Sequence, residues 1–208
     1  MAQDRYSKLT VALRYWLLGK GYYRPLEAME FGRSHHTGTR KDGITPEFQH
    51  QLEIMSHCRT LQLMDMELVL TSIPLHDVVE DCNVAIEEIG RIFGADVQSV
   101  VWLLTKEYRG VKKSMPEYFR AISEDPHASI AKAVDRVNNM GSMVGVFTTQ
   151  GQANYVREVK ELFFPMLKHA RRKFPQQEPA YENVKLILEN QVRLVEAIHR
   201  ELHSKGSK

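Results

Sequence analysis

Cysteine is scarce in this 208-residue chain. Cys58 and Cys82 form no CxxC pair and no zinc-finger spacing, which excludes a disulfide scaffold and a thiolate zinc cluster. Both read as small apolar filler in a reducing, cytoplasmic compartment. Net charge is scarce as well: 28 Lys and Arg stand against 26 Asp and Glu, a formal +2. Neither nucleic acid nor a membrane surface is therefore expected as a partner, and a polyanion would need a local basic patch. Long hydrophobic runs are missing. The apolar run at 9–18 is broken by Arg14, is too short to cross a bilayer, and is followed by no small-residue cleavage site. Gly/Ser-rich linkers, internal repeats and low-complexity tracts are missing too, so one soluble domain over 1–208 is expected.

Strand-like alternation of β-branched residues is also rare, and what is present reads as helices between short polar breaks. The pattern predicts helices over 4–20, 25–35, 46–56, 62–72, 75–81, 84–93, 95–106, 115–123, 126–140, 155–174 and 181–203. Asn83 is the expected cap of the 84–93 helix, and Gly94 its stop. Asp125-Pro126 is a strong start signal, a capping carboxylate followed by a first-turn proline. Gly141 is expected to end the helix so begun. Residues 38–45 (GTRKDGIT) and 107–114 (EYRGVKKS) read as polar loops. In the last helix Val184, Ile187, Leu188, Val192, Val195, Ile198 and Leu202 lie on or near one stripe, which is expected to pack on the rest of the domain. The expected fold class is all-α.

The chemistry concentrates in few residues. His76-Asp77, in the run LHDVVED, places an imidazole and a carboxylate about 100° apart on a helix, so both reach a metal over the flank between them. Alone, the dipeptide equally suits an ordinary histidine paired to its neighbour. His50 lies upstream. Asp135 lies inside an otherwise apolar helix face formed by Ile130, Ala133, Val134, Val137 and Met140, where a carboxylate needs a partner. That partner is either a cation such as Arg136 or a metal. Glu80 and Asp81 crowd two more acids within a turn of His76-Asp77, an arrangement that repels itself unless a cation balances it. His50, His76, Asp77 and Asp135 make a His₂Asp₂ set suited to Mn²⁺ or Fe²⁺ with open positions, better than to a closed Zn²⁺ site. Asn139, one turn after Asp135, either hydrogen-bonds a phosphate or ribose oxygen or simply ends its helix.

These motifs occur in a fixed order: RKDG-x-TPEF-x-H (Arg40 to His50), LHDVVED (Leu75 to Asp81), FGADV (Phe93 to Val97), Thr105-Lys106, and AVDRVNNM (Ala133 to Met140). Together they resemble the hydrolase domain of RelA/SpoT-type proteins over about 25–170. The resemblance implies an HD-domain helical bundle, one Mn²⁺ held by His50, His76, Asp77 and Asp135, and Glu80 and Asp81 as the pair that positions and deprotonates water. It further implies Asn139 at the sugar-phosphate, Arg40 over the base and Lys41 lining the same pocket; without it, a solvated loop would be the plainer account of the last two. The implied reaction is hydrolysis of the 3′-pyrophosphate of (p)ppGpp to GDP or GTP, and an end at Lys208 leaves no room for a synthetase domain, which implies a stand-alone small alarmone hydrolase.

The chain departs from the family pattern at three places. Asp42 stands where serine is common, Cys82 where threonine is usual, and the loop between Lys41 and Pro46 is slightly longer. Asp42 suits guanine N1–H and N2–H₂, or faces solvent. The basic segment with Lys106, Arg109, Lys112 and Lys113 is a candidate clamp for distal phosphates or a solvated face, and Tyr155 and Arg157 are candidates to close the pocket opposite. The rival substrates are an adenine alarmone (ppApp) and the 2′-phosphate of NADPH. A nucleotide-sensing or antitoxin protein is the rival of another class. An alarmone-synthesising toxin is a partner only through its product.

Overall fold

The computed structural model describes residues 2–206, with side chains described over 4–202. Met1, Ser207 and Lys208 of the domain expected over 1–208 lie outside the described residues. The described residues form twelve α-helices: α1 (Ala2–Lys20), α2 (Tyr23–His35), α3 (Gln49–Cys58), α4 (Met66–Ser72), α5 (Val78–Asp81), α6 (Ile86–Phe93), α7 (Ala95–Leu104), α8 (Met115–Ser123), α9 (Pro126–Ser142), α10 (Thr149–Glu158), α11 (Phe164–Lys173) and α12 (Glu178–Gly206). The fold is all-α, as expected, apart from a two-stranded hairpin.

Helix α9 is the axis of the molecule. Asp125 accepts from the amides of His127 (2.9 Å) and Ala128 (2.7 Å), and Pro126 sits at the first helical position, so the predicted start holds. Every position from Ala128 to Val137 except Lys132 is buried, because α3, α4, α7, α8, α11 and α12 all pack against this helix. The stripe of α12 does what its period predicts: Val184, Leu188, Val192 and Val195 are buried along α9 and α11, while Leu202 stays exposed.

Gly32 sets the closest approach. A Cβ built there would lie 2.3 Å from the carbonyl oxygen of Pro74 and 2.9 Å from the Phe48 ring. Only a glycine lets α2 sit this near the 3₁₀ turn Ile73–Leu75, which delivers His76 and Asp77 into the interior.

Several boundaries differ from the sequence reading. Asn83 does not cap α6. It takes a left-handed conformation (φ 55°), and the helix begins at Ile86 after an extended Ala85. Asp65 caps α4 by accepting from Leu68 N, which delays the start expected at 62. Gly141 does not stop α9, which runs to Ser142. The basic loop at 107–114 is a hairpin, β1 (Glu107–Tyr108) against β2 (Val111–Lys112), turned by Arg109 and Gly110 at positive φ. The helix expected over 155–174 starts at Thr149 and is interrupted by a π turn, Val159–Phe163, just ahead of Pro165, which cannot donate a helical hydrogen bond.

Candidate metal centre

His50 comes from the first turn of α3, His76 from the end of the 3₁₀ turn, Asp77 from the cap position of α5 and Asp135 from the middle of α9. Ligating atoms of His50, His76 and Asp135 lie within 4.8 Å of one another, and all three residues are buried. Asp77 joins them through its Oδ1, 3.0 Å from His76 Nε2. Three side chains, the outermost 85 positions apart in sequence, thus converge, and Asp77 adjoins them through His76.

The protonation pattern of the two imidazoles follows from their outer partners. His76 Nδ1 lies 2.7 Å from the carbonyl oxygen of Ile73, which only accepts, so Nδ1 carries the hydrogen. His50 Nδ1 lies 2.7 Å from Asn138 Oδ1. That oxygen is identified by the other end of the amide, since Asn138 Nδ2 donates to the Glu53 carboxylate at 2.8 Å. Hence His50 also carries its hydrogen on Nδ1. Both Nε2 atoms then face carboxylates, His50 toward Asp135 Oδ1 (3.0 Å) and His76 toward Asp77 Oδ1 (3.0 Å). Two lone-pair nitrogens opposite two anionic oxygens need a cation between them, either protons or a metal. The donor set, two imidazoles and two carboxylates with oriented outer partners, fits a divalent ion.

The electrostatics agree. Burial opposes charge on His76, but Asp77 and Asp135 outweigh it and raise its pKa to about 9. Burial also opposes ionisation of Asp77 and Asp135. His76 holds the first well below the usual carboxylate range, and Lys132 with His50 does the same for the second. Asp81 goes the other way: burial, then the charges of Asp77 and Glu80, push it up to about 6.

A cavity of about 410 Å³ opens over this centre. Its lining includes His50, Asp77 and Asp135, and also Arg40, Lys41, Asp42, Asp81, Asn139 and Tyr155 from the sequence reading. Arg40 Nη2 reaches Asn139 Oδ1 and Ser142 Oγ at 3.4 Å each. Lys41 Nζ lies 4.7 Å from the centre of the Phe147 ring. Tyr155 stacks under the guanidinium of Arg136 at 4.1 Å. Asn139 is already engaged: its Nδ2 donates to Asp135 Oδ1 at 2.6 Å. Both oxygens of Asp42 are taken up by its own loop. They accept from Ile44 N (3.0 Å), Thr45 N (2.9 Å) and Thr45 Oγ1 (2.5 Å), which lowers its pKa to about 2.

Other expected residues fall outside the cavity lining. Glu80 Oε2 accepts from the backbone amides of Lys106 (2.9 Å) and Glu107 (3.4 Å), so this acid anchors the hairpin and lines an adjoining cavity that shares only Asp81 with the first. Lys106 meets Glu80 through its backbone. Lys112 is exposed and pairs with Glu107 at 3.2 Å. Arg157 donates to Asn154 Oδ1 at 2.8 Å and lines a different groove beside α12, because two helical positions after Tyr155 turn it about 200° away. The cation partner of Asp135 is Lys132 (2.7 Å to Oδ2), not Arg136, which is ion-paired with Glu158 and stacked on Tyr155 and Phe163.

Lys132, Gln51, Asn138 and His36 are among the cavity or support residues not singled out from the sequence. Lys132 lies one turn before Asp135, at a spacing that could have flagged it. Gln51, Asn138 and His36 carry no such signal. Gln51 Nε2 donates to Asp77 Oδ2 at 3.1 Å. His36 Nδ1 bonds the carbonyl of Gly32 at 3.0 Å, and its buried Nε2 has no protein partner.

Fold and site together define an all-helical protein built round a buried histidine–aspartate cluster that could hold a metal ion. A family model described as HD domain matches residues 28–173, and the chain belongs to that family. Among curated relatives, a probable guanosine-3′,5′-bis(diphosphate) 3′-pyrophosphohydrolase of Synechocystis is 28% identical over 144 residues, covering 65% of this chain and 19% of the relative. A guanosine-3′,5′-bis(diphosphate) 3′-pyrophosphohydrolase of Vibrio cholerae is 28% identical over 142 residues, covering 64% and 20%. A protein of Brucella melitensis named GTP pyrophosphokinase rsh is 27% identical over 148 residues, covering 67% and 19%. The chain spans about a fifth of the length of these relatives. A solved structure of a metazoan ortholog of SpoT, described as hydrolysing ppGpp, superposes with a TM-score of 0.63 at 20% identity, covering 81% of this chain and 95% of that one, and so shares the fold. Among the described residues no helix is long and apolar enough to cross a membrane.

Proposed function

We propose that this chain is a metal-dependent hydrolase that removes the 3′-pyrophosphate from (p)ppGpp, releasing GDP or GTP and pyrophosphate, with one Mn²⁺ held by His50, His76, Asp77 and Asp135. The observation that carries the reading is the pair of imidazoles whose Nδ1–H groups are fixed from outside, so that both Nε2 lone pairs converge on carboxylates. The names of the relatives supply the substrate class. When bound, a divalent ion would lower the pKa of a coordinated water and neutralise charge on a phosphoryl oxygen.

The chain's own groups divide the remaining work. Asp81, at the cavity wall with a pKa of about 6, is ionised at neutral pH yet basic enough to take a proton from water. The oxygen so freed bonds to the phosphorus attached to the 3′ oxygen. The P–O3′ bond breaks and its electron pair stays on the 3′ oxygen, which takes a proton from Asp81 or solvent to become the 3′-hydroxyl of GDP or GTP; the attacking oxygen leaves within pyrophosphate. Glu80 acts at a distance, holding the hairpin and raising Asp81 through its charge. Arg40, Lys41 and Lys132 give the cavity three cations for phosphate oxygens or a purine face. Tyr155 and Phe147 supply apolar walls. Asp42 contributes by shaping the Arg40-Lys41 loop.

The test is metal analysis of the purified chain, then product identification with Mn²⁺ and ppGpp, ppApp and NADPH side by side. Conversion of ppGpp to GDP and pyrophosphate is expected, with Asp77→Ala losing both metal and turnover while keeping its helix content. Turnover of ppApp or NADPH alone would move the chain to another substrate. Binding of all three without product would make it a nucleotide sensor.

A further inference from the structure

Gln51 is 1% exposed, yet it carries two polar atoms beside the metal centre. Its two ends can be told apart. The Asp77 carboxylate only accepts, so the group 3.1 Å from Asp77 Oδ2 is the Nε2–H₂ donor. The amide oxygen Oε1 is therefore the other end. It is buried and has no hydrogen-bond partner in the protein. Gln51 lines the same cavity as Asp77 and Asp135. A buried carbonyl without a donor is destabilising unless something outside the protein supplies the hydrogen.

The other ligands are each steered by an outer group. Asn138 fixes His50, the Ile73 carbonyl fixes His76, and Asn139 donates to Asp135. Asp77 is the most exposed of the four, with 31% of its side chain accessible, and it sits at a helix cap where its side chain makes no capping bond. Gln51 is what restrains its second oxygen.

We propose that Gln51 is a positioning residue for the metal centre: its Nε2 locks the Asp77 carboxylate in its ligating orientation, and its unpartnered Oε1 accepts a hydrogen bond from a water held in the cavity beside the ion. This rests on the reading of His50, His76, Asp77 and Asp135 as a metal site. It adds a role for a residue outside that set, placed by its neighbour His50 on the same first turn of α3. The adjacency of the two residues suits this role. Successive helix positions diverge by about 100°, so His50 meets Asp135 while Gln51 meets Asp77.

The experiment is Mn²⁺ titration by calorimetry on the parent chain, Gln51→Met and Gln51→Asn, with thermal melts in EDTA and in Mn²⁺. Methionine keeps the bulk and removes both polar ends. Asparagine keeps the amide and shortens its reach. Both variants should bind Mn²⁺ about 10-fold or more weakly, in the range found when outer partners of metal ligands are lost. Their melting points in EDTA should stay near that of the parent, and the rise produced by Mn²⁺ should shrink. A residue that merely fills space would leave the affinity of Gln51→Met unchanged, and that result would overturn the proposal. Should Gln51→Met fail to fold, Gln51→Asn decides in the same way. A parent chain that binds no Mn²⁺ overturns the metal reading itself, whereas a binding parent with equally binding variants overturns only the role of Gln51.

Discussion

Replacing Lys132 by methionine probes the charge balance of the centre. Lys132 Nζ lies 2.7 Å from Asp135 Oδ2, and the two side chains are 16% and 6% exposed. Methionine preserves most of the aliphatic stem and deletes the ammonium. Asp135 then remains buried, with the negative Asp77 in the same centre. Removing one partner of a buried pair costs about 3–5 kcal/mol, chiefly because the remaining charge is stranded. Here Oδ1 still accepts from Asn139 Nδ2, so the lower end, about 3 kcal/mol, is expected. At about 2–4 °C per kcal/mol for a chain of this size, the metal-free variant should melt roughly 6–12 °C below the parent. Mn²⁺ should reverse much of this, since a divalent cation beside Asp135 supplies the missing positive charge, and binding to the folded state alone raises stability. Calorimetric melts of both proteins at neutral pH, in EDTA and in saturating Mn²⁺, give the comparison. An equal loss in both conditions would mean that the ion and Lys132 do not share Asp135. No loss in EDTA would mean that the pair is electrostatically idle. Either result refutes the reasoning.

The acid limb of kcat/KM for ppGpp should fall as pH drops through about 6, because the proton acceptor Asp81 must be ionised. A bound cation favours the carboxylate, so it can shift that limb lower but not higher. Asp81→Asn should reduce kcat by about 10²–10⁴-fold with metal retained, and a pH-rate profile of both proteins checks the pair of statements. Asn138→Leu deprives His50 Nδ1 of its acceptor and should weaken Mn²⁺ binding about 10–100-fold, measured by calorimetry. Arg157→Ala and Lys112→Ala should leave KM unchanged, since both lie off the cavity, whereas Arg40→Ala should weaken substrate binding by about 10-fold or more, the equivalent of one charge-assisted contact. Gly32→Ala should destabilise the fold by roughly 1–3 kcal/mol in denaturant titrations, because its methyl group would meet the Pro74 carbonyl.

Local signals are legible in the sequence wherever the physics is local. The Asp125-Pro126 cap, the stripe of α12 and the helical class itself depend on neighbours within a few residues, and these readings match the structure. The convergence of His50, His76 and Asp135 is legible too, since acids and imidazoles on apolar helix faces demand a common cation. The misreadings lie where direction matters. Tyr155 and Arg157 are two positions apart, yet one faces the cavity and the other the opposite groove. Glu80 and Asp81 are adjacent, yet hairpin amides claim the first and the cavity the second.

By itself, the amino-acid order determined the helical class, the main start signals and a short set of candidate site residues, because period, capping and charge density are written in short windows. Only the tertiary structure decided their partners: Lys132 rather than Arg136 for Asp135, Asn138 for His50, Gln51 for Asp77, and Asp42 turned into its own loop. Most of these choices join residues 26 to 88 positions apart or select between rotations of one helix. They depend on how the helices pack around α9, a quantity that no local window of sequence contains.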